Sequence, residues 1–153
     1  MTPAIRRGEA RDARAAADLY LRARAAALHA GSIPAGVHDD EDVRRHFASH
    51  VVEDCELWVA EQGGTLAGIL VLEGEWVHQL YVDPDLTGRG IGSRLLAVAR
   101  RERPGGLRLW TFASNAGAQR FYERHGFVAV RRTDERDNEE GAPDILYASQ
   151  VPS

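Results

Sequence analysis

Three glycines at alternate positions, Gly88, Gly90 and Gly92, mark the junction between an apolar run ending at Val82 and an amphipathic run opening at Ile91. A strand that feeds a helix through such a turn leaves the first N–H groups of the helix without intrahelical partners, and the helix dipole draws an anion to that end. Glycine adopts positive φ without strain and lets phosphate oxygens approach the backbone. Gly88-Arg89-Gly90-Ile91-Gly92-Ser93 is therefore a candidate phosphate cradle, and the competing reading is a tight turn and nothing more. Two familiar phosphate loops are excluded. No lysine follows the glycines as a Gly-x-x-x-x-Gly-Lys-Ser/Thr loop requires, and Gly-x-Gly-x-Gly is not the Gly-x-Gly-x-x-Gly spacing of a dinucleotide fold.

Periodicity on either side predicts a mixed α/β chain. Ile5 lies in a short strand, and Asp12 caps an alanine-rich helix running to about His29, where Gly31 and Pro34 stop it. After a loop from Ala30 to Val37, the acidic run Asp39-Asp40-Glu41-Asp42 suits the first turn of a second helix that ends near Val52. Leu57 to Ala60, Leu66 to Leu72 and Trp76 to Val82, separated by glycine turns, predict a three-strand antiparallel meander. From Gly90 to about Arg103, Ile91, Leu95, Val98 and Ala99 recur at helical spacing. Leu107 to Phe112 reads as a strand. Ser114 then caps a helix carrying Ala118, Phe121, Tyr122 and His125 on one side and ending at Gly126. Strands at Phe127 to Val130 and Ile145 to Ala148 flank a polar, acidic loop from Thr133 to Pro143, and the last strand is a candidate sheet edge for pairing with a second copy in a homodimer.

Bulk properties narrow the function classes. With 153 residues the chain is expected to form one domain. Its net charge of -4 offers no basic field for nucleic-acid phosphates or an anionic membrane, so neither is expected as a partner. The longest apolar run, Leu66 to Leu72, is too short to span a bilayer, and Met1 to Gly8 has no apolar signal core. Cys55 is the single cysteine, which fits a reducing cytoplasmic setting.

The stretch Leu80-Tyr81-Val82-Asp83-Pro84-Asp85-Leu86-Thr87-Gly88-Arg89-Gly90-Ile91-Gly92-Ser93-Arg94-Leu95-Leu96 resembles the cofactor motif of the GCN5-related N-acetyltransferase (GNAT) family. A second family motif follows at the expected distance, as Asn115-Ala116-Gly117-Ala118-Gln119-Arg120-Phe121-Tyr122-Glu123-Arg124-His125-Gly126-Phe127. With the N-terminal strand and alanine-rich helix, the resemblance covers nearly the whole chain. One departure is Thr87, where the family has Gln or Arg opening the phosphate loop. The resemblance implies an α+β type domain with a mixed, largely antiparallel sheet of about six to seven strands and about four helices. It also implies acetyl-CoA as co-substrate, a primary amine of a small molecule or peptide as acceptor, and direct transfer in a ternary complex. Leu80, Tyr81 and Val82 would run beside the pantetheine arm, Gly88 to Ser93 would take the pyrophosphate, and Asn115 and Tyr122 would hold the cofactor from the side. Asn115 has a second reading as a residue that serves only the start of its helix.

Transfer from a thioester to an amine requires a neutral nucleophile, a stabilised oxyanion and a proton for the leaving thiolate. Backbone N–H groups near Val82 are the natural oxyanion donors if the strand is splayed. Tyr122 matches the family tyrosine that protonates the thiolate, or it simply packs with Phe121. Strand alternation puts His78 on the face of Leu80 and Val82, as general base or as a core residue; Glu75 and a water chain are the other candidates. His46 and His50 are four apart on helix two but lack a third ligand, and His29, His38 and His125 add none, so no metal is expected. Nothing local activates Cys55 as a nucleophile. The acceptor groove is expected along Ala30 to Val37, the start of helix two and the loop from Thr133 to Pro143. Asp39, Asp40, Glu41, Asp42, Asp134, Glu135, Asp137, Glu139 and Glu140 there would attract a cationic amine or serve only as solvated charge. Two alternatives to an acetyltransferase remain: a catalytically idle acyl-CoA sensor, and an enzyme using a longer acyl-CoA.

Overall fold

Positive-φ glycines at 63, 64 and 74 turn three apolar strands back on one another in the computed structural model, which describes residues 2–36, 38–134 and 141–149. The strands are β2 (Glu56–Gln62), β3 (Thr65–Glu73) and β4 (Trp76–Val82), and β1 (Ala4–Arg7) pairs antiparallel with β2. Helix α1 (Ala13–His29) lies between β1 and α2 (Asp40–His46), which runs on through a wide π turn (Phe47–Val51) and a last helical turn (Val52–Asp54). Past β4 come α3 (Ile91–Glu102), β5 (Arg108–Phe112), α4 (Ala116–Arg124), β6 (Phe127–Thr133) and β7 (Asp144–Ser149). The seven strands form one mixed sheet in the order β1-β2-β3-β4-β5-β7-β6, parallel only between β4 and β5.

Both faces of the sheet are covered, which is why β3 at its centre is buried along nearly its whole length. On one face α3 and α4 close a core around Leu70, Leu72, Leu95, Leu96, Leu109 and Tyr147. On the other, α1 and α2 pack Ala16, Leu19, Phe47 and Val51 against Leu57, Val59, Ile69 and Val71. The alanine-rich face of α1 thus brings its backbone close to the sheet, and the charged residues remain outside. No helix among the described residues is long and apolar enough to cross a membrane.

Four local readings are corrected. The last strand is not an edge: β7 lies between β5 and β6, so β6 forms that edge and exposes Val128 and Val130. A strand inserted between two earlier ones leaves no mark in local periodicity. Asn115 rather than Ser114 caps α4, its Oδ1 accepting from the Ala118 N–H at 3.1 Å, while Ser114 Oγ donates to the Ser32 carbonyl at 2.8 Å. Asp12 stands at the start of α1 without a side-chain cap bond, because its carboxylate accepts both terminal nitrogens of Arg6 at 2.9 Å. Alternation fails at His78. Leu72 pairs with Val77 and Val71 with Gln79, so His78 is an extra residue bulged out of β4. Val77 and Leu80 therefore share the α3/α4 core, while His78 turns toward Glu73.

The Arg6–Asp12 pair ties β1 to the start of α1, and the Arg6 hydrogen bonds hold the buried Asp12 carboxyl down at about 2. A depressed carboxylate contributes its stability fully above the unfolded pKa of about 3.9 and loses it as pH falls toward the folded value. Asp12→Asn should therefore lower the unfolding free energy by about 1.5–3 kcal/mol at pH 6. Urea titrations should show the gap to the parent chain closing between pH 4 and pH 2.

Candidate functional site

Hydrogen bonding between β4 and β5 stops almost where it begins. Trp76 and Arg108 are the only paired residues, joined by the Arg108 N–H donating to the Glu75 carbonyl at 2.9 Å. Beyond them the strands part, and β5 spends its other edge on β7. On the β3 side, the Asp83 N–H donates to Ala67 O at 2.8 Å. Antiparallel alternation then turns the N–H and C=O of Leu80 and Val82 away from β3 and into the parting.

The parting has two ends. A cleft of about 180 Å³ is walled by Leu80 and Val82 on β4, Gly92 on α3, and Ala118, Phe121 and Tyr122 on α4. It opens into a wider one of about 330 Å³ between Thr87, Gly88, Gly90, Ser93 and Arg124. Toward the other face, a cavity of about 120 Å³ runs past Tyr122, His78, Leu80, Trp110, Thr111 and Asn115. Tyr122 borders both the first and the last of these, at the neck of the passage.

The glycines at this site serve different ends. Gly88 and Gly90 both have φ of +80°, with open space where a Cβ would stand, so they are needed for backbone conformation. Gly92 is helical, and a Cβ there would stand 3.5 Å from Phe121 and 3.6 Å from Val82, narrowing the slot. Gly68 on β3 lets α3 sit close, since a Cβ would meet Leu95 Cδ1 at 2.8 Å and Ile91 Cγ2 at 3.0 Å. At the C-terminal end of α4, His125 Nδ1 lies 2.7 Å from the Phe121 carbonyl and its Nε2 3.0 Å from Ser93 Oγ. The carbonyl can only accept, so Nδ1 carries the proton and Ser93 donates to Nε2. The Ser93 hydroxyl is thereby engaged, and its backbone N–H remains for a ligand.

Tyr122 is buried, and its hydroxyl forms no hydrogen bond among the described residues. Burial, reinforced by Tyr81, raises its pKa above that of an ordinary phenol. His78 is 43% exposed, with Nε2 3.3 Å from Glu73 Oε1, and stands at the mouth of the passage. Glu75 lies at the closed end of the parting, its carboxylate facing Arg108 at 3.9 Å. Asn115 borders the passage while capping α4. Cys55 is a poor nucleophile: burial and the hydrogen bond to Glu73 raise its thiol to about 12.

A separate cleft of about 260 Å³ lies between α1, the loop after it and the start of α2, lined by Tyr20, Arg24, Ile33, Pro34, His38 and Asp40. Much of the acidic run beside it is already paired, Glu41 with Arg44 at 2.7 Å and Asp42 with Arg45. Val37, Glu135, Asp137, Glu139 and Glu140 lie outside the described residues. Phe121, Ala118 and Arg124 were not foreseen as cleft residues. Helical spacing had put Ala118 and Phe121 on one face with Tyr122, but not what that face overlooks.

A mixed sheet parted in the middle, with a glycine turn and helix N-terminus at the open end, defines an α/β domain with a ligand-sized cleft between two strands of one sheet. The chain matches the acetyltransferase (GNAT) domain over residues 53–129, half of its length, and belongs to that family. It is 33% identical over 92 residues to the peptidyl-lysine N-acetyltransferase YjaB of Salmonella typhimurium, covering 60% of this chain and 63% of that protein. It is 34% identical over 74 residues to the peptidyl-lysine N-acetyltransferase YiaC of Escherichia coli, covering 48% and 50%. The chain thus spans less than two thirds of these curated relatives. The solution structure of apo-form YjaB from Escherichia coli superimposes with a TM-score of 0.76 at 24% identity, over 99% of this chain and all of that one. The PaiA N-acetyltransferase of Thermoplasma acidophilum, solved in complex with coenzyme A, superimposes at 0.72 and 19% identity, over 98% and 99%.

The close seat of α3 on the sheet positions the glycine turn. Gly68→Ala should push α3 away from β3 and destabilise the chain by about 1–3 kcal/mol. Urea unfolding measures this, and the conservative Leu95→Met, which yields more readily, should recover part of the loss in the double variant.

Proposed function

We propose that this chain transfers an acetyl group from acetyl-CoA to a primary amine of a peptide or small molecule, directly in a ternary complex. The observation that carries the reading is the parting of β4 from β5, with the unbonded hydroxyl of Tyr122 at its neck. The cleft suits the cofactor in shape and charge. An extended pantetheine arm would lie along β4, meeting the backbone groups that Leu80 and Val82 turn into the parting. The turn from Gly88 to Ser93, including Arg89 and Ile91, would offer the pyrophosphate its N–H groups, with the Arg124 cation alongside. Asn115 would guide the cofactor from the far wall.

In this reading the Val82 N–H faces the developing oxyanion. A donor of that kind is worth roughly two to three orders of magnitude in rate. Tyr122 gives its proton to the departing thiolate. Burial makes the phenol a weaker acid, and the same dry wall raises the proton affinity of a thiolate formed against it, so the two shifts offset. His78 takes the proton from the amine at the mouth of the passage, and Glu75, turned to Arg108, is the weaker candidate. The named activity of YjaB and YiaC makes a peptide lysine the first acceptor to test. The single cysteine supports a reducing, cytoplasmic setting.

Incubation of the chain with acetyl-CoA and lysine-containing peptides or a panel of small amines should release free CoA and yield acetylated amine by mass spectrometry. Binding of acetyl-CoA without turnover on any amine would instead identify a sensor, and absence of CoA binding would remove the reading altogether. Tyr122→Phe should reduce kcat by about 10²–10⁴-fold while KM for acetyl-CoA stays nearly constant. An unchanged kcat would leave Tyr122 as a packing residue.

A further inference from the structure

On the face opposite α3 and α4, the fold assembles a cluster that the transfer reaction does not use. His50 on the π turn, Cys55 just before β2 and Glu73 at the end of β3 bring one nitrogen, one sulfur and one carboxylate oxygen within 4.8 Å of one another. His50 Nε2 and Cys55 Sγ each lie 3.2 Å from Glu73 Oε2. These groups border a cavity of about 280 Å³ that His46 and His78 also line. We propose that His50, Cys55 and Glu73 form a zinc-binding site that clamps the end of helix α2 to strands β2 and β3.

Donor chemistry, orientation and backbone support this independently. Imidazole, thiolate and carboxylate are the ligand types zinc takes, and tetrahedral bonds of about 2.0–2.3 Å place ligand atoms roughly 3.3–3.6 Å apart, close to the two separations from Glu73. His50 is oriented from behind, with Nδ1 3.1 Å from Asp54 Oδ2, the carboxylate–histidine arrangement that fixes a metal-binding tautomer. With the proton on Nδ1, the lone pair of Nε2 faces a carboxylate oxygen 3.2 Å away, and either a proton on Nε2 or a metal ion between the two relieves that contact. A divalent ion there also displaces the thiol proton of Cys55 to solvent. The π turn from Phe47 to Val51, which carries His50, departs from regular helix at this one place. Such turns are frequent at functional sites. His50 and Glu73 are both close to half exposed, which leaves an ion a path in. A fourth position falls to water or to His46, which lines the same cavity.

The test is metal binding and is independent of acetyl transfer, so it can fail while the transferase reading stands. The full chain, stripped with a chelator, is titrated with zinc against a chromophoric competitor, and with cobalt while the absorption spectrum is followed. One equivalent of zinc should bind and raise the unfolding temperature. Cobalt should give intense tetrahedral ligand-field bands with a thiolate charge-transfer band. Cys55→Ser and His50→Ala should each weaken zinc binding at least about ten-fold. His29→Ala, on α1, should leave it unchanged. Absence of stoichiometric binding, equal binding in the cluster variants, or a cobalt spectrum without thiolate ligation would overturn the proposal. The cobalt spectrum of the unmodified chain decides even if a variant does not fold.

Discussion

Past Trp76 and Arg108, β4 and β5 lie side by side in the sheet order without sharing hydrogen bonds, and the rest of the molecule is arranged around that gap. A sheet interior with unpaired backbone is costly unless something else meets the exposed groups. Here β5 is held from its other side by five residue pairs with β7, and β4 by its pairing with β3, so neither strand needs the other to stay in place. The two cores on opposite faces hold the halves of the sheet at a fixed separation. The gap is thus built into the fold by pairing and packing on both sides, and it leaves room for an extended ligand that supplies hydrogen bonds of its own.

Close packing at Gly68 sets the depth of the open end. A side chain at that position would press on Ile91 and Leu95, the first two core contacts of α3, and the turn from Gly88 to Gly90 would move with them. The slot between Val82 and Phe121 is kept wide because Gly92 adds no Cβ to its floor. Four glycines with three different physical duties, close packing at Gly68, backbone conformation at Gly88 and Gly90 and clearance at Gly92, therefore act on one cleft. Arg124 and His125 then complete its rim from a helix far away in sequence.

The site's scaffold was legible wherever its signals are local. The glycine turn, the face of α3, the meander and the start of α2 at Asp39 each follow from spacing or capping within a few residues. What escaped depends on distant chain. Asp12 abandons its cap role because β1 delivers Arg6 beside it, and β7 inserts beside β5 because that edge is free. His46 and His50 read as two ligands without a third, and Cys55 and Glu73 come near His50 only once β2 and β3 pair. A bulge of one residue leaves no trace in composition, yet it moves His78 off the face that alternation assigns it.

That bulge joins the two halves of the functional picture. By stepping out of register, His78 lies at the mouth of the passage that Tyr122 borders and at the same time within 3.3 Å of Glu73. Cys55 and His78 both hydrogen-bond to Glu73, and these contacts hold its carboxyl below the ordinary range. An ionised Glu73 favours the Nε2–H form of His78, leaving Nδ1 as the nitrogen with a lone pair to offer. The bulge thus gives β4 a second duty: besides walling the cleft, it brings a residue at the mouth of the passage into contact with Glu73 behind it.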